Sequence, residues 1–151
     1  RTDDGEVITE NVAVLQYLAD AFPEKGLAPP PASAERYRLQ QWLSFVGSEL
    51  HKTVFAPLLS QRANDGAKAF ARDGVAGKLS YLNDHLTGRE YLIDSFSVAD
   101  AYAAAVLNWA QFTGIDLTPY PAIVAYRERL AARPAVARAM REELALYRAA
   151  A

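Results

Sequence analysis

A chain of 151 residues is long enough for one ordinary domain with a true core, and a composition 51% hydrophobic and 23% charged is globular rather than disordered. A formal net charge of -2 gives no basic surface for nucleic acid or an anionic membrane. The absence of cysteine excludes disulfides and thiolate metal sites, and two histidines far apart in sequence leave no zinc-ligand pattern.

In chain order, Asp3-Asp4-Gly5 followed by Glu6-Val7-Ile8 predicts a tight hairpin turn feeding a short strand, with Asp-Gly supplying the positive-φ positions. The partner strand belongs upstream, where only Arg1 and Thr2 stand. With Met140 the single methionine, the chain reads as the continuation of a sheet-containing region. From residue 9 or 10 to residue 22 the spacing turns helical, with Val12, Leu15, Leu18, Ala19 and Phe22 on one side, until Pro23 and Gly26 stop it. Pro29-Pro30-Pro31 then stiffens a linker over residues 27–32. Ser33 caps a long helix over residues 34–55, whose core stripe is Leu39, Leu43, Val46, Leu50 and Val54 and which Pro57 soon ends. Another face of that helix carries Ser44, Ser48, His51 and Lys52, with Glu49 beside it.

Asn64-Asp65-Gly66 reads as a loop before a third helix to Leu86, with Ala71, Val75, Leu79, Leu82 and Leu86 in register, Gly74 and Gly77 weakening it and Gly88 ending it. The stretch that organises the chain follows. Ser97 and Asp100 form a variant capping box, and residues 101–112 are apolar except for Asn108 and Gln111, so this helix has no wide solvated face and must be buried nearly all round. It is too short to span a bilayer. Pro121 starts a helix through Ala132, and Pro134 starts a last one, docked by Met140 and Leu144 with Arg138, Arg141, Glu142 and Glu143 facing water. No signal peptide, lipidation motif or transmembrane span is visible, so a soluble, cytoplasmic protein is expected.

Several pieces in this order resemble the bacterial beta-class glutathione transferases: Asp4-Gly5 through Ile8-Thr9-Glu10, then Gln16-Tyr17-Leu18-Ala19-Asp20, then Glu49-Leu50-His51-Lys52. The match continues through Phe96-Ser97-Val98-Ala99-Asp100-Ala101-Tyr102, Asn108-Trp109-Ala110, Tyr120-Pro121-Ala122-Ile123 and Arg133-Pro134-Ala135-Val136. The resemblance implies a mainly α fold: a helical bundle of the transferase C-terminal type (33–151), a linker (27–32), and a β-strand and helix left from a thioredoxin-like domain (1–26). It also implies a homodimer when full length, and an activity that joins the glutathione thiol to electrophilic or disulfide substrates in detoxification, with glutathione a co-substrate rather than a cofactor. The family's catalytic cysteine has no counterpart here, which closes the cysteine-assisted route to this polypeptide.

Residue by residue, the resemblance puts Glu10 and Asn11 at the γ-glutamyl end of glutathione, at a helix start that favours anions. Many relatives have serine at the place of Asn11 and asparagine at the place of Ser44. Ser44, Ser48, Glu49 and Lys52 match positions that approach glutathione in the same or the neighbouring subunit, and His51 is the candidate catalytic group beside the thiol. Tyr102 and Trp109 match the wall for the apolar second substrate, while as large aromatics on a buried helix they read first as core packing. Asp100 reads as structural and His85 as capping or solvated. The alternative function is a non-enzymatic, transferase-like binding or assembly module.

Overall fold

The computed structural model describes residues 1–150, the side chains of Tyr147 and Ala150 excepted, and its helices are arranged around α6 (Val98–Asn108). Both halves of the Ser97/Asp100 capping box form. The Asp100 carboxylate is fully buried and takes four donors: Leu92 N–H at 2.9 Å, Ser97 N–H and Oγ–H each at 2.8 Å, and Tyr126 O–H at 2.7 Å. This ties the start of α6 to the loop before it and to α8 (Pro121–Ala131). Ala99, Ala103, Val106 and Leu107 are wholly buried, as the unbroken apolar run demands. The run is not one helix to residue 112, however. Trp109 N–H bonds back to Val106 O at 3.1 Å, tightening the turn, and after this break the short α7 (Ala110–Thr113) leaves Phe112 exposed.

Around α6 lie α1 (Asn11–Ala21), α2 (Ala34–Phe45), a π-helical segment (Val46–Phe55), α8 and α9 (Pro134–Ala150). Ser33 Oγ accepts Arg36 N–H at 3.1 Å and so caps α2 as expected. The predicted stripe of Leu39, Leu43, Val46, Leu50 and Val54 is buried throughout, and it survives the change from α to π winding. In the wider coil Ala56 N–H reaches His51 O and Thr53 Oγ1–H reaches Ser48 O at 2.6 Å, each five residues back. Pro57 does not end this rod. It falls in the first turn of α3 (Ala56–Leu59), where a missing N–H costs little, and the rod stops at Ser60.

Asn64 is a cap, not a loop residue: its side chain accepts Ala67 N–H at 2.9 Å, so Gly66 lies inside α4 (Asp65–Asp73). Gly74 divides α4 from α5 (Val75–Leu86), making two helices where the pattern predicts one, while Ala71, Val75, Leu79, Leu82 and Leu86 are buried as expected. On α9 Met140 packs against the core, but Leu144 is 40% exposed and does not dock.

The residual strand expected after Gly5 is not formed, and there is no strand among the described residues. Gly5 N–H bonds Thr2 O at 3.0 Å and Thr2 N–H bonds Glu6 O at 2.8 Å, with positive φ at Gly5 but not at Asp4. This is a β-turn followed by a glycine bulge, and residues 6–8 have no neighbouring strand to pair with. On α1, Val12, Leu15 and Ala19 pack inward, whereas Leu18 and Phe22 at the other edge of the predicted stripe stay exposed. The buried Arg36 guanidinium meets Asp20 and joins α1 to α2.

Candidate functional site

Three elements converge on Gly47 in the π-helical segment. A Cβ built there would lie 3.7 Å from Tyr102 Cε1, from Tyr102 OH and from Val12 Cγ2, an ordinary van der Waals contact, so α6 and α1 meet the rod here with room for one methyl group. One turn further on, His51 enters the same junction. Its Nδ1 is 2.7 Å from the Tyr102 hydroxyl, and the imidazole stands edge-on to Trp109 at 4.9 Å between ring centroids. Trp109, at the break after α6, also meets Phe55 edge-on at 6.3 Å. Asn11, the first residue of α1, stands close enough to the Tyr102 hydroxyl to act on its ionisation.

The electrostatics of this cluster favour neutral groups. Burial pushes the His51 imidazole below its ordinary range, and the adjacent Lys52 charge pushes it the same way. Burial raises the Tyr102 phenol, and the Asn11 side chain opposes that rise in part. At neutral pH His51 is therefore an uncharged imidazole held against an un-ionised phenol.

Of the residues expected at a site, the structure brings Asn11, His51, Tyr102 and Trp109 together. Ser44, Ser48 and Lys52 follow one another at four-residue steps along an exposed stripe of the rod, where Ser48 Oγ–H donates to Ser44 O at 2.9 Å. Glu49 is turned away toward α5 and pairs with Lys78 at 3.4 Å. Glu10 precedes α1 with φ 66 and ψ 119, a conformation costing a non-glycine residue about 1–3 kcal/mol. Sequence reasoning did not single out Gly47, which marks where α1 and α6 meet the rod with room for one methyl group.

A cavity of about 610 Å³ lies elsewhere, between α2, α5 and the loop after α5, with Arg38, Trp42, Tyr81, His85 and Arg89 among its lining. None of the expected site residues lines it. Trp42 stacks on Tyr81 at 5.7 Å and lies 4.0 Å from His85, whose Nε2–H donates to Leu92 O at 2.9 Å.

An all-helical domain around a doubly capped central helix, with an imidazole and aromatics where three helical elements meet, defines a class already met among known proteins. Residues 48–134 match the family described as glutathione S-transferase, C-terminal domain. Glutathione S-transferase GstA of Escherichia coli O157:H7 is 37% identical over 142 residues, covering 93% of this chain and 70% of that protein. Among solved structures, a sphingomonad glutathione S-transferase complexed with glutathione superposes with a TM-score of 0.87 at 47% identity, covering 94% of this chain and 71% of the other. The bacterial beta-class glutathione S-transferase of Sphingomonas chungbukensis superposes with a TM-score of 0.87 at 43% identity, again over 94% and 71%. The chain belongs to the glutathione S-transferase family.

Proposed function

We propose that this chain supplies the helical half of a glutathione site, in which His51 faces the thiol and the thiolate attacks an electrophilic or disulfide substrate. The observation that carries this reading is the His51–Tyr102 contact, an imidazole nitrogen 2.7 Å from a phenol hydroxyl where α1 and α6 meet the rod. Glu10 and the start of α1 receive the γ-glutamyl end, favoured there by the helix dipole. Lys52 meets the glycyl carboxylate. Among the described residues it has no ion pair of its own, and it is exposed one residue after His51. Trp109, half-buried, offers its outer face to the apolar second substrate.

With no cysteine in the chain, the sulfur in this chemistry is glutathione's own, and the chain alone binds without efficient turnover. The exposed Ser44/Ser48 stripe is the surface we assign to a second copy in a cytoplasmic homodimer, with residues 27–32 dividing the helical domain from residues 1–26. No helix among the described residues is long and apolar enough to cross a membrane. Isothermal titration of glutathione into the chain tests the proposal. Binding tighter than about 1 mM, roughly -4 kcal/mol, is expected, with Lys52→Ala weakening it about fivefold, near 1 kcal/mol for an exposed pair. A folded chain that takes up no glutathione would exclude it.

A further inference from the structure

We propose that the cavity beside Trp42 is a second binding site, for a zwitterionic aromatic ligand of the aromatic α-amino acid class. It is separate from the junction at His51, none of whose residues lines it. At about 610 Å³ it lies within the range of about 300–1,000 Å³ that small-molecule sites occupy.

The floor of the cavity is aromatic and holds an unspent donor. Trp42 is 3% exposed and in ring contact with His85 at 4.0 Å and with Tyr81 at 5.7 Å. Among the described residues its indole N–H donates to no protein group, and a donor so enclosed is costly to leave unmatched. Tyr81 is stacked on Trp42, 26° from parallel, and half-exposed, so its outer face is open to a further ring.

The rim is charged in both signs. Glu35 and Arg38 come from α2, Arg89 and Asp94 from the loop after α5, and all four are exposed at the cavity. Among the described residues none of them makes an ion pair, although Glu35 and Arg38 stand three apart on one helix, a spacing that permits one. Arg89 is anchored, with Nη1–H donating to His85 O at 2.7 Å, which holds its guanidinium at the lip.

This pattern selects the ligand. The two guanidiniums and the indole N–H receive a carboxylate, the two acidic side chains receive an ammonium, and the ring stacks on Tyr81. A simple aromatic anion would set its charge against Glu35 and Asp94, and an aromatic amine would set its ammonium against Arg38 and Arg89. An amino acid zwitterion, neutral overall as the rim is, meets neither conflict.

Isothermal titration of L-tryptophan into the full chain tests the proposal, with indole-3-propionate and tryptamine as probes that lack the ammonium and the carboxylate. Tryptophan is expected to bind tighter than about 1 mM, and each analogue about tenfold more weakly. Arg38→Gln should weaken tryptophan about fivefold and leave tryptamine unchanged, whereas Glu35→Gln should weaken tryptophan and leave indole-3-propionate unchanged. Both side chains are exposed, so the fold is not at stake in either variant. Trp42→Phe, which keeps a ring and removes the N–H, should weaken tryptophan and indole-3-propionate alike. Saturating glutathione should leave the tryptophan isotherm as it is. No binding at millimolar tryptophan, analogues that bind as well as tryptophan, or displacement by glutathione would each overturn the proposal. So would a dimer, seen in sedimentation, that Tyr81→Ala dissolves and tryptophan does not disturb, because a second copy would then cover the cavity.

Discussion

Glu10 shows how one residue can carry opposed demands. Its φ of 66 is tolerated by glycine without steric cost, so Glu10→Gly is expected to raise stability by about 1 kcal/mol, part of the relieved strain being offset by the added freedom of the unfolded chain. The same change removes the carboxylate we assign to the γ-glutamyl amine, so urea denaturation and glutathione titration should move in opposite directions. An equal or lower denaturation midpoint would show that the backbone is not strained there. At Asp100 all demands agree. Four donors converge on a fully buried carboxylate, and Asp100→Asn sets an amide N–H₂ against two of them, at an expected cost of about 3 kcal/mol or more. Ser97→Ala removes one donor and one cap, for about 1 kcal/mol. The ordering of the two variants in urea is the check, and a milder Asp100→Asn would mean that the amide finds an acceptor absent from the native arrangement.

Among the elements, those whose signal lies in a cap or an apolar period were legible from sequence. Ser33, Ser97, Pro121 and Pro134 start helices where expected, and the stripes on the rod and on α5 are buried residue for residue. What was not legible depends on partners distant in sequence or on winding. The change from α to π between Val46 and Phe55 leaves no mark in hydrophobic spacing, since a stripe at steps of three and four fits either coil. The strand after Gly5 was predicted from a local turn, but a strand exists only through its neighbour. For the site, His51 could be named from the resemblance, but its bond to Tyr102 spans 51 residues, and no spacing rule finds it. Gly47 lies at the same junction, and it tests how closely the elements are packed. Its would-be Cβ meets Tyr102 and Val12 at an ordinary 3.7 Å, so Gly47→Ala should be accommodated and should gain about 0.5–1 kcal/mol of helix propensity. Gly47→Val carries two further methyl groups into the same space and should destabilise while separating the phenol from the imidazole. Thermal melts of the pair, with the His51 ring resonances in NMR spectra reporting on the phenol contact, check both halves.

At the scale of the whole molecule the two histidines give stability a pH dependence whose sign is fixed. Both lie on the rod or on α5 against the core, and burial is the leading cause that lowers each imidazole below its ordinary value near 6.5. Well above pH 7 neither the folded nor the unfolded chain binds protons at these rings, and the stabilisation is fully present. As the pH falls below about 6.5 the unfolded chain takes up protons first, so the free energy of unfolding decreases from there down to the depressed values of the folded state and then levels. The carboxylates of Asp4 and Asp116, lowered by their hydrogen bonds to Thr2 and Thr118, act in the same direction but below about pH 4. The two windows are therefore separate. Urea midpoints measured from pH 7.5 to 5 should fall, and the fall should flatten in a His51→Gln/His85→Gln variant, which retains polar rings' worth of hydrogen bonding but cannot titrate. A midpoint that stays level across that range in the wild type would mean that the folded chain protonates His51 and His85 as readily as the unfolded one, and that neither ring is held neutral by the core it packs against.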